Sequence, residues 1–287
     1  MWAHPRDLYQ KAYKDGYAVG TFNISNLETL KAIVRAAEYL EAPVMIATSR
    51  GEGMFVGFDM AVSMVKTMAE HASVPVGLHL DHGKSMEDVR TAIDAGYLSV
   101  HIDASDKSYD ENAELTKQVV AYAHGRDVNV EGEIGHVGGT SSLHTGGVEA
   151  ALGKEGLTNP SEAWHYASDT GIDQLAVAVG NIHGIYQGIP HIDCERLREI
   201  NEGVHKPLVL HGGSGIPDDQ IKAAIASGIA KINVNSELRL AYSQSIRDTL
   251  ARDAELIVPY QITGPAIDAI QKVVESKIRV FDMKIRD

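Results

Sequence analysis

Three histidines in this chain are each followed directly by glycine: His82-Gly83, His183-Gly184 and His211-Gly212. Three imidazoles around an open position make a catalytic site for a divalent ion, Zn²⁺ first among them. The glycine after each histidine lets backbone approach whatever is bound. Taken singly, each histidine reads as a strand cap or a partner for a carbonyl; the repetition is what points to a metal. Asp81 directly precedes His82 and has the chemistry to move a proton beside such an ion. The stretch His211-Gly-Gly-Ser-Gly-Ile-Pro217 puts a glycine-rich turn just before a helix start, marked by Pro217, Asp218 and Asp219. Backbone N–H groups at such a turn, with the helix N-terminus behind them, hold phosphate. Asn235 and Ser236 open the following helix and would complete the cup.

Residues so far apart meet only if their elements share one rim. Apolar runs at residues 18–23, 43–48, 75–80, 98–102, 129–133, 174–179, 207–210 and 230–234 read as strands. They are apolar throughout rather than alternating, as expected where both faces of a parallel sheet are covered. Stretches at 26–40, 59–71, 85–95 and 109–124 carry apolar residues at three- and four-residue spacing and read as helices. Eight strand–helix units in about 250 residues predict an α/β protein with a (β/α)₈ TIM barrel, one domain over 1–287 with a C-terminal helical extension. An open doubly wound sheet is the alternative, but its G-x-G-x-x-G after the first strand is missing. In a barrel, chemistry sits at the C-terminal strand ends. Here those ends carry Asn23, Ser49 and Arg50, Asp81 and His82, Asp103, Glu133, His183, His211, and Asn233 with Asn235. His79 and His101 read as structural or supporting groups. Residues 135–159 lack periodicity and read as a functional or disordered loop. Residues 264–279 read as a helix that closes the barrel bottom or packs on another subunit.

Of 287 residues, 44% are hydrophobic and 23% charged, enough to bury a full core. Against 26 Lys and Arg stand 39 Asp and Glu, a net charge of -13, so a basic footprint for nucleic acid or anionic lipid is absent. Cys194 is the only cysteine, which excludes an intrachain disulfide and a cysteine-rich zinc site. No apolar run reaches the length of a membrane span, and the start lacks the apolar core of a signal peptide. The expectation is a cytoplasmic protein with no membrane or nucleic-acid partner.

Together the motifs Ala18-Val-Gly-Thr-Phe-Asn23, Pro75-Val-Gly-Leu-His-Leu-Asp-His-Gly83, Ala176-Val-Ala-Val-Gly-Asn-Ile-His-Gly184, Leu208-Val-Leu-His-Gly-Gly-Ser-Gly-Ile-Pro217 and Lys231-Ile-Asn-Val-Asn-Ser236 resemble the class II, zinc-dependent ketose-bisphosphate aldolases over nearly the whole chain. The resemblance implies that His82, His183 and His211 hold Zn²⁺ and that Asp81 is the acid/base. It implies that Gly184, Gly212, Ser214, Asn235 and Ser236 hold the phosphate of dihydroxyacetone phosphate, with a monovalent cation possible beside it. Asn233 then holds the hydroxyketone and Asn23 lies near the reacting carbons. Asp103 and Glu133 are supporting or alternate metal carboxylates. The implied partner is a sugar phosphate, and the implied assembly a homodimer or homotetramer.

The residues fit such a reaction on their own terms. Breaking a C–C bond leaves a carbanion, which a metal on the ketone stabilises while Asp81 takes the hydroxyl proton. A Lys Schiff base is the other device, but Lys231 begins its strand at the wrong end, and Lys84 and Lys107 lie in rim loops. Two departures stand out. The family's Glu after the fifth-strand Gly-Gly is absent: Gly138-Gly139 leads to Thr140-Ser141-Ser142, and the nearest loop acids are Glu149 and Glu155. The family's C-terminal Asp-Pro-Arg, whose Arg meets a distal phosphate, reads Val258-Pro259-Tyr260. Arg50, beside Ser49, is the candidate replacement. The expected function is reversible cleavage of a ketose 1-phosphate or 1,6-bisphosphate to dihydroxyacetone phosphate and an aldehyde. The alternatives are a zinc-dependent hydrolase of a sugar phosphate and a non-catalytic sugar-phosphate-binding subunit.

Overall fold

In the computed structural model, which describes residues 1–147 and 156–283, eight parallel strands close into a barrel. In chain order these are β1 (Val19–Asn23), β2 (Val44–Ser49), β3 (Val76–Gly83), β4 (Ser99–Ile102), β5 (Asn129–Ile134), β7 (Gln174–Val177), β9 (Leu208–Leu210) and β10 (Ile229–Val234). β10 pairs back onto β1, with Val19 opposite Lys231, which closes the cylinder. Helices follow the strands and cover their outer faces, so nearly every strand residue is buried on both sides. This is the TIM barrel that the apolar runs predict.

The helices start where the sequence offers a cap. α2 (Leu27–Tyr39) begins after Asn26, whose side chain accepts the Thr29 N–H at 2.9 Å. Its buried stripe includes Leu30, Ile33, Val34 and Ala37. Such a cap is worth about 1 kcal/mol. α3 (Arg50–Val56) follows β2 without a break, on a capping box between Ser49 and Glu52.

Three features differ from the sequence reading. The strand expected at 174–179 ends at Val177, because the Asn181 side chain takes over the ladder: it accepts the Val179 N–H at 2.8 Å and donates to Val177 O at 3.2 Å and His211 O at 3.0 Å. Within 135–159, read as a loop, residues Gly139–Gly147 form β6, which pairs in parallel with β8 (His183–Gln187). The C-terminal helix Pro259–Val280 starts earlier than expected, with Pro at its first position, and packs on α2 and on the helix Ser236–Arg252. Its buried residues Ala266, Ile270, Val274 and Ile278 recur every fourth position. The chain beyond it reaches the bottom of β1, where Ala18 N–H donates to Phe281 O at 3.2 Å.

Candidate active site

In a regular strand Asp81 and His82 would point to opposite faces. β3 avoids this by losing register against β4 between Leu80 and Gly83, with His82 in the left-handed region at φ 53. That conformation is costly for a β-carbon-bearing residue and marks a site that the surrounding structure enforces. It turns both side chains into the barrel mouth: Asp81 Oδ1 lies 3.8 Å from His82 Nε2. A side chain at Gly83 would put its Cβ 2.9 Å from the His101 carbonyl, so only glycine permits the bulge. The end of β9 is pressed equally close to the start of β8. Gly212 has φ 63, and a Cβ there would stand 2.1 Å from Ile182 O.

This packing gathers the histidines. The His82 ring lies 4.8 Å from that of His183 and 4.5 Å from that of His211, and His183 lies 5.7 Å from His211. His101, read from sequence as a supporting group, joins them at 4.8 Å from both His82 and His211. Donor atoms of Asp81, His82, His101 and His211 fall within 4.8 Å of one another, and those of His82, Asp103 and Glu133 form a second such set. Among the described residues, buried His82 Nε2, His101 Nε2 and His211 Nδ1 find no hydrogen-bond partner. Imidazole nitrogens left unpaired in a common space beside a carboxylate fit a divalent ion.

The other nitrogens are held from behind. His82 Nδ1 is 2.7 Å from Asp103 Oδ2, which also accepts from Lys84 Nζ at 2.6 Å. His211 Nε2 is 2.7 Å from Glu131 Oε1. Carboxylates in this position fix the ring and its tautomer. Glu131 is fully buried and accepts from Lys231 Nζ at 2.6 Å and Gln174 Nε2 at 2.8 Å. Lys231 therefore lies at the deep end of its strand, as the sequence suggests, and is bound inside the barrel to the carboxylate that holds His211. The Asp81 carboxylate accepts from Asn23 Nδ2 and Asn233 Nδ2, each at 2.9 Å.

These contacts set the charges. Burial opposes ionisation of Asp81, but His82 and His211 outweigh it and hold the carboxyl well below its usual range. Burial also disfavours the charged form of His82, yet Asp81 and the bond to Asp103 raise its pKa to about 9. His183 and His211 are lowered, burial being the main cause in both. Burial and the neighbouring Asp103 push Glu133 up to about 8.

Gly184, Gly212, Ser214, Asn235 and Ser236 line one cavity together with Asn23, Asp81, His183, His211 and Asn233. Asn235 stands just before α10 (Ser236–Arg252) without capping it through its side chain, and the helix N-terminus faces Ser214: the Glu237 N–H reaches Ser214 Oγ at 3.4 Å. Ser49 and Arg50 are not part of this lining. The Ser49 hydroxyl caps α3, and Arg50 Nε donates to Asp88 Oδ1 at 2.7 Å. Glu149 and Glu155 lie outside the described residues. Glu52, Glu131, Lys231 and Arg239 were not singled out as site residues by sequence. Glu131 and Lys231 had a signal, as charges inside strands that are otherwise apolar. Glu52 had another, as the acid of a Ser-x-x-Glu capping box.

The chain is a closed parallel (β/α)₈ barrel protein with histidines and carboxylates that could hold a metal ion gathered at the mouth. The sequence model described as "Fructose-bisphosphate aldolase class-II" matches residues 3–285. A fructose-bisphosphate aldolase of Geobacillus stearothermophilus is 43% identical over 281 residues, covering 96% of this chain and 95% of that protein. One of Staphylococcus aureus is 42% identical over 281 residues, covering 96% of each. The crystal structure of the YdjI aldolase from Escherichia coli K12 superposes with a TM-score of 0.85 at 33% identity, over 99% of both chains. The chain belongs to the class-II fructose-bisphosphate aldolase family.

Proposed function

We propose that this protein is a zinc-dependent aldolase that reversibly cleaves a ketose 1-phosphate or 1,6-bisphosphate to dihydroxyacetone phosphate and an aldehyde. The observation that carries the reading is the convergence of Asp81, His183, His211 and the Gly212–Ser214–Asn235–Ser236 cup on one cavity, with His82 against its histidines. His82, His183 and His211 would hold the ion, with Asp103 and Glu131 orienting two of them. When bound, Zn²⁺ supplies Lewis acidity that stabilises negative charge on the ketose half as the carbon–carbon bond breaks.

The chain's own groups do the rest. Backbone N–H groups around Gly184 and Gly212, the Ser214 and Ser236 hydroxyls and the α10 N-terminus hold the C1 phosphate. A monovalent cation beside that cup belongs to the same reading. Asp81 stays ionised, fixed by Asn23 and Asn233, and takes the proton from the C4 hydroxyl in cleavage; in condensation it returns it. Asn233 thereby orients the acid/base and faces the hydroxyketone. A Schiff-base route is disfavoured because Lys231 is bound to Glu131 and Lys84 to Asp103. The named relatives, all aldolases, favour this reading over a sugar-phosphate hydrolase or a non-catalytic subunit. Assembly as a homodimer or homotetramer is part of the proposal and is read by light scattering.

The test is release of dihydroxyacetone phosphate from a panel of ketose phosphates, with zinc, after chelation and after zinc is restored. Asp81→Ala keeps the metal and loses rate by a factor on the order of 10² or more. Parallel loss of metal would instead make Asp81 a support for His82. Full activity after chelation, or borohydride trapping of substrate on a lysine, would sink the reading.

A further inference from the structure

Two carboxylates and one lysine stand behind the histidines, and the reaction above gives neither Glu133 nor Lys84 a step. Asp103 follows β4 and Glu133 lies in β5. Ile102 pairs with Gly132, so the next residue of each strand brings the two acids side by side at the rim. Both are buried, at 4% and 1% exposure. Donor atoms of His82, Asp103 and Glu133 fall within 4.8 Å of one another, a set that suits a divalent ion. Asp103 meets the Nδ1 edge of His82, while the Nε2 edge faces Asp81. The set therefore lies on the far side of His82 from the acid/base.

The two acids are unequally satisfied. Asp103 Oδ2 accepts from His82 Nδ1 at 2.7 Å and from Lys84 Nζ at 2.6 Å. Its Oδ1 accepts from the Ser105 hydroxyl at 2.7 Å and from the Ser105 N–H at 3.2 Å. Glu133 is left short. Among the described residues its Oε2 finds no hydrogen-bond partner, and neither does His101 Nε2, 3.4 Å away. Buried polar atoms without partners call for an explanation. Here they leave lone pairs beside a carboxylate whose only cationic partner from a lysine is Lys84.

Lys84 comes to this pair from the rim, with half of its side chain in solvent. Its N–H donates to Asp88 Oδ2 at 3.0 Å, which fixes where the ammonium arrives. A cavity lined by His82, Lys84, Asp103, His136 and His183 among others gives a dissolved ion a path to the same carboxylates. An ion entering there would compete with the ammonium for Asp103 Oδ2. Two cations a few ångströms apart repel, and the more so where water is excluded.

We propose that the Lys84 ammonium takes the place of a second divalent ion at Asp103 and Glu133. The centre then holds a single ion, at His82, His183 and His211, and removing the Lys84 charge opens a second cation site beside it. The inference rests on the metal reading of the three histidines. Its test counts ions and uses no substrate, so it stays separate from the aldolase reading.

Metal-free wild type, Lys84→Met, Lys84→Gln and Lys84→Arg are titrated with Co²⁺ alone, at one pH and one salt concentration. Calorimetry reads stoichiometry and affinity, and electron paramagnetic resonance reads whether two ions lie close enough to couple. Thermal melting checks that each variant is folded. Wild type and Lys84→Arg, which keeps the charge, should bind one Co²⁺ per chain. Lys84→Met and Lys84→Gln should bind two, with coupled spins. Their second ion should bind at least about tenfold tighter than any second ion on wild type, because the competing charge is gone. Adding Glu133→Gln to Lys84→Met should return the count to one. Two ions on wild type, one ion on both neutral variants, or a second ion that survives Glu133→Gln overturns the proposal and leaves the three-histidine site standing. A wild type that binds no Co²⁺ overturns both.

Discussion

Replacing Lys231 by Met removes the cation from a carboxylate that has no access to water. Lys231 and Glu131 are both fully buried, 2.6 Å apart at Nζ and Oε2. Burial by itself would raise the Glu131 carboxyl; Lys231, His101 and His211 outweigh it and hold it well below its usual range. Breaking such a pair from one side costs about 3–5 kcal/mol, because the remaining charge stays buried without compensation. For a domain of this size that is roughly 2 °C of Tm per kcal/mol, so Lys231→Met should melt about 6–10 °C below wild type. Glu131→Gln in the same chain removes the orphaned charge and should recover about half of that loss, since replacing both members of a buried pair is far milder than replacing one. The sign of the pH effect follows. In Lys231→Met the Glu131 carboxyl titrates above its unfolded value, so proton uptake stabilises the variant at low pH and that help is lost as pH rises through the shifted pKa. The deficit should be smaller at pH 5.5 than at pH 8. The assay is thermal melting of chelator-treated protein at both pH values, because a bound ion adds its own stabilisation. A single variant that melts within about 2 °C of wild type, or a double variant no more stable than the single, would refute the account of Glu131 as a compensated buried charge.

Four further outcomes are expected. Metal affinity should rise with pH up to about 9, because His82 carries a proton below that value and must lose it to ligate; calorimetry in buffers of different ionisation heat should detect the released proton at pH 7.5. The same raised pKa means that His82 stabilises the metal-free fold fully below its unfolded value, a contribution lost as pH rises through about 9, which melting across that range reads directly. Arg50→Ala should leave kcat/KM within about twofold for every ketose phosphate, since this half-exposed side chain is bound to Asp88 and surface pairs contribute about 0–1 kcal/mol; a tenfold loss on bisphosphates alone would restore Arg50 to the substrate site. Gly212→Ala should lose metal binding as well as stability, measured by metal content and melting, because a Cβ 2.1 Å from Ile182 O forces β9 away from β8 and carries His211 with it.

The strands, the barrel and most of the cavity were legible in the sequence, since a buried parallel strand leaves a continuous apolar run and the chain order of such runs dictates closure. The three His-Gly pairs and the Gly-Gly-Ser-Gly turn were legible for a related reason: glycine beside a polar group at a strand end signals that backbone or ligand comes close there. Sequence alone could not tell that Asp81 and His82 share the mouth, because alternation along a regular strand separates them. A bulge held by His101 and Gly83 decides it. Nor could it promote His101 from support to possible ligand, or tell that Arg50 pairs with Asp88. Both depend on which neighbour a side chain finds across strands far apart in the chain. Residue types and local spacing thus determined the fold and the kind of chemistry. Only the tertiary structure decided that Lys231 would compensate Glu131 and that Arg239 would bind Glu52. Partners at 100 and 187 positions' separation leave no local pattern, and the low-dielectric interior or the crowded rim selects them only after the barrel has closed.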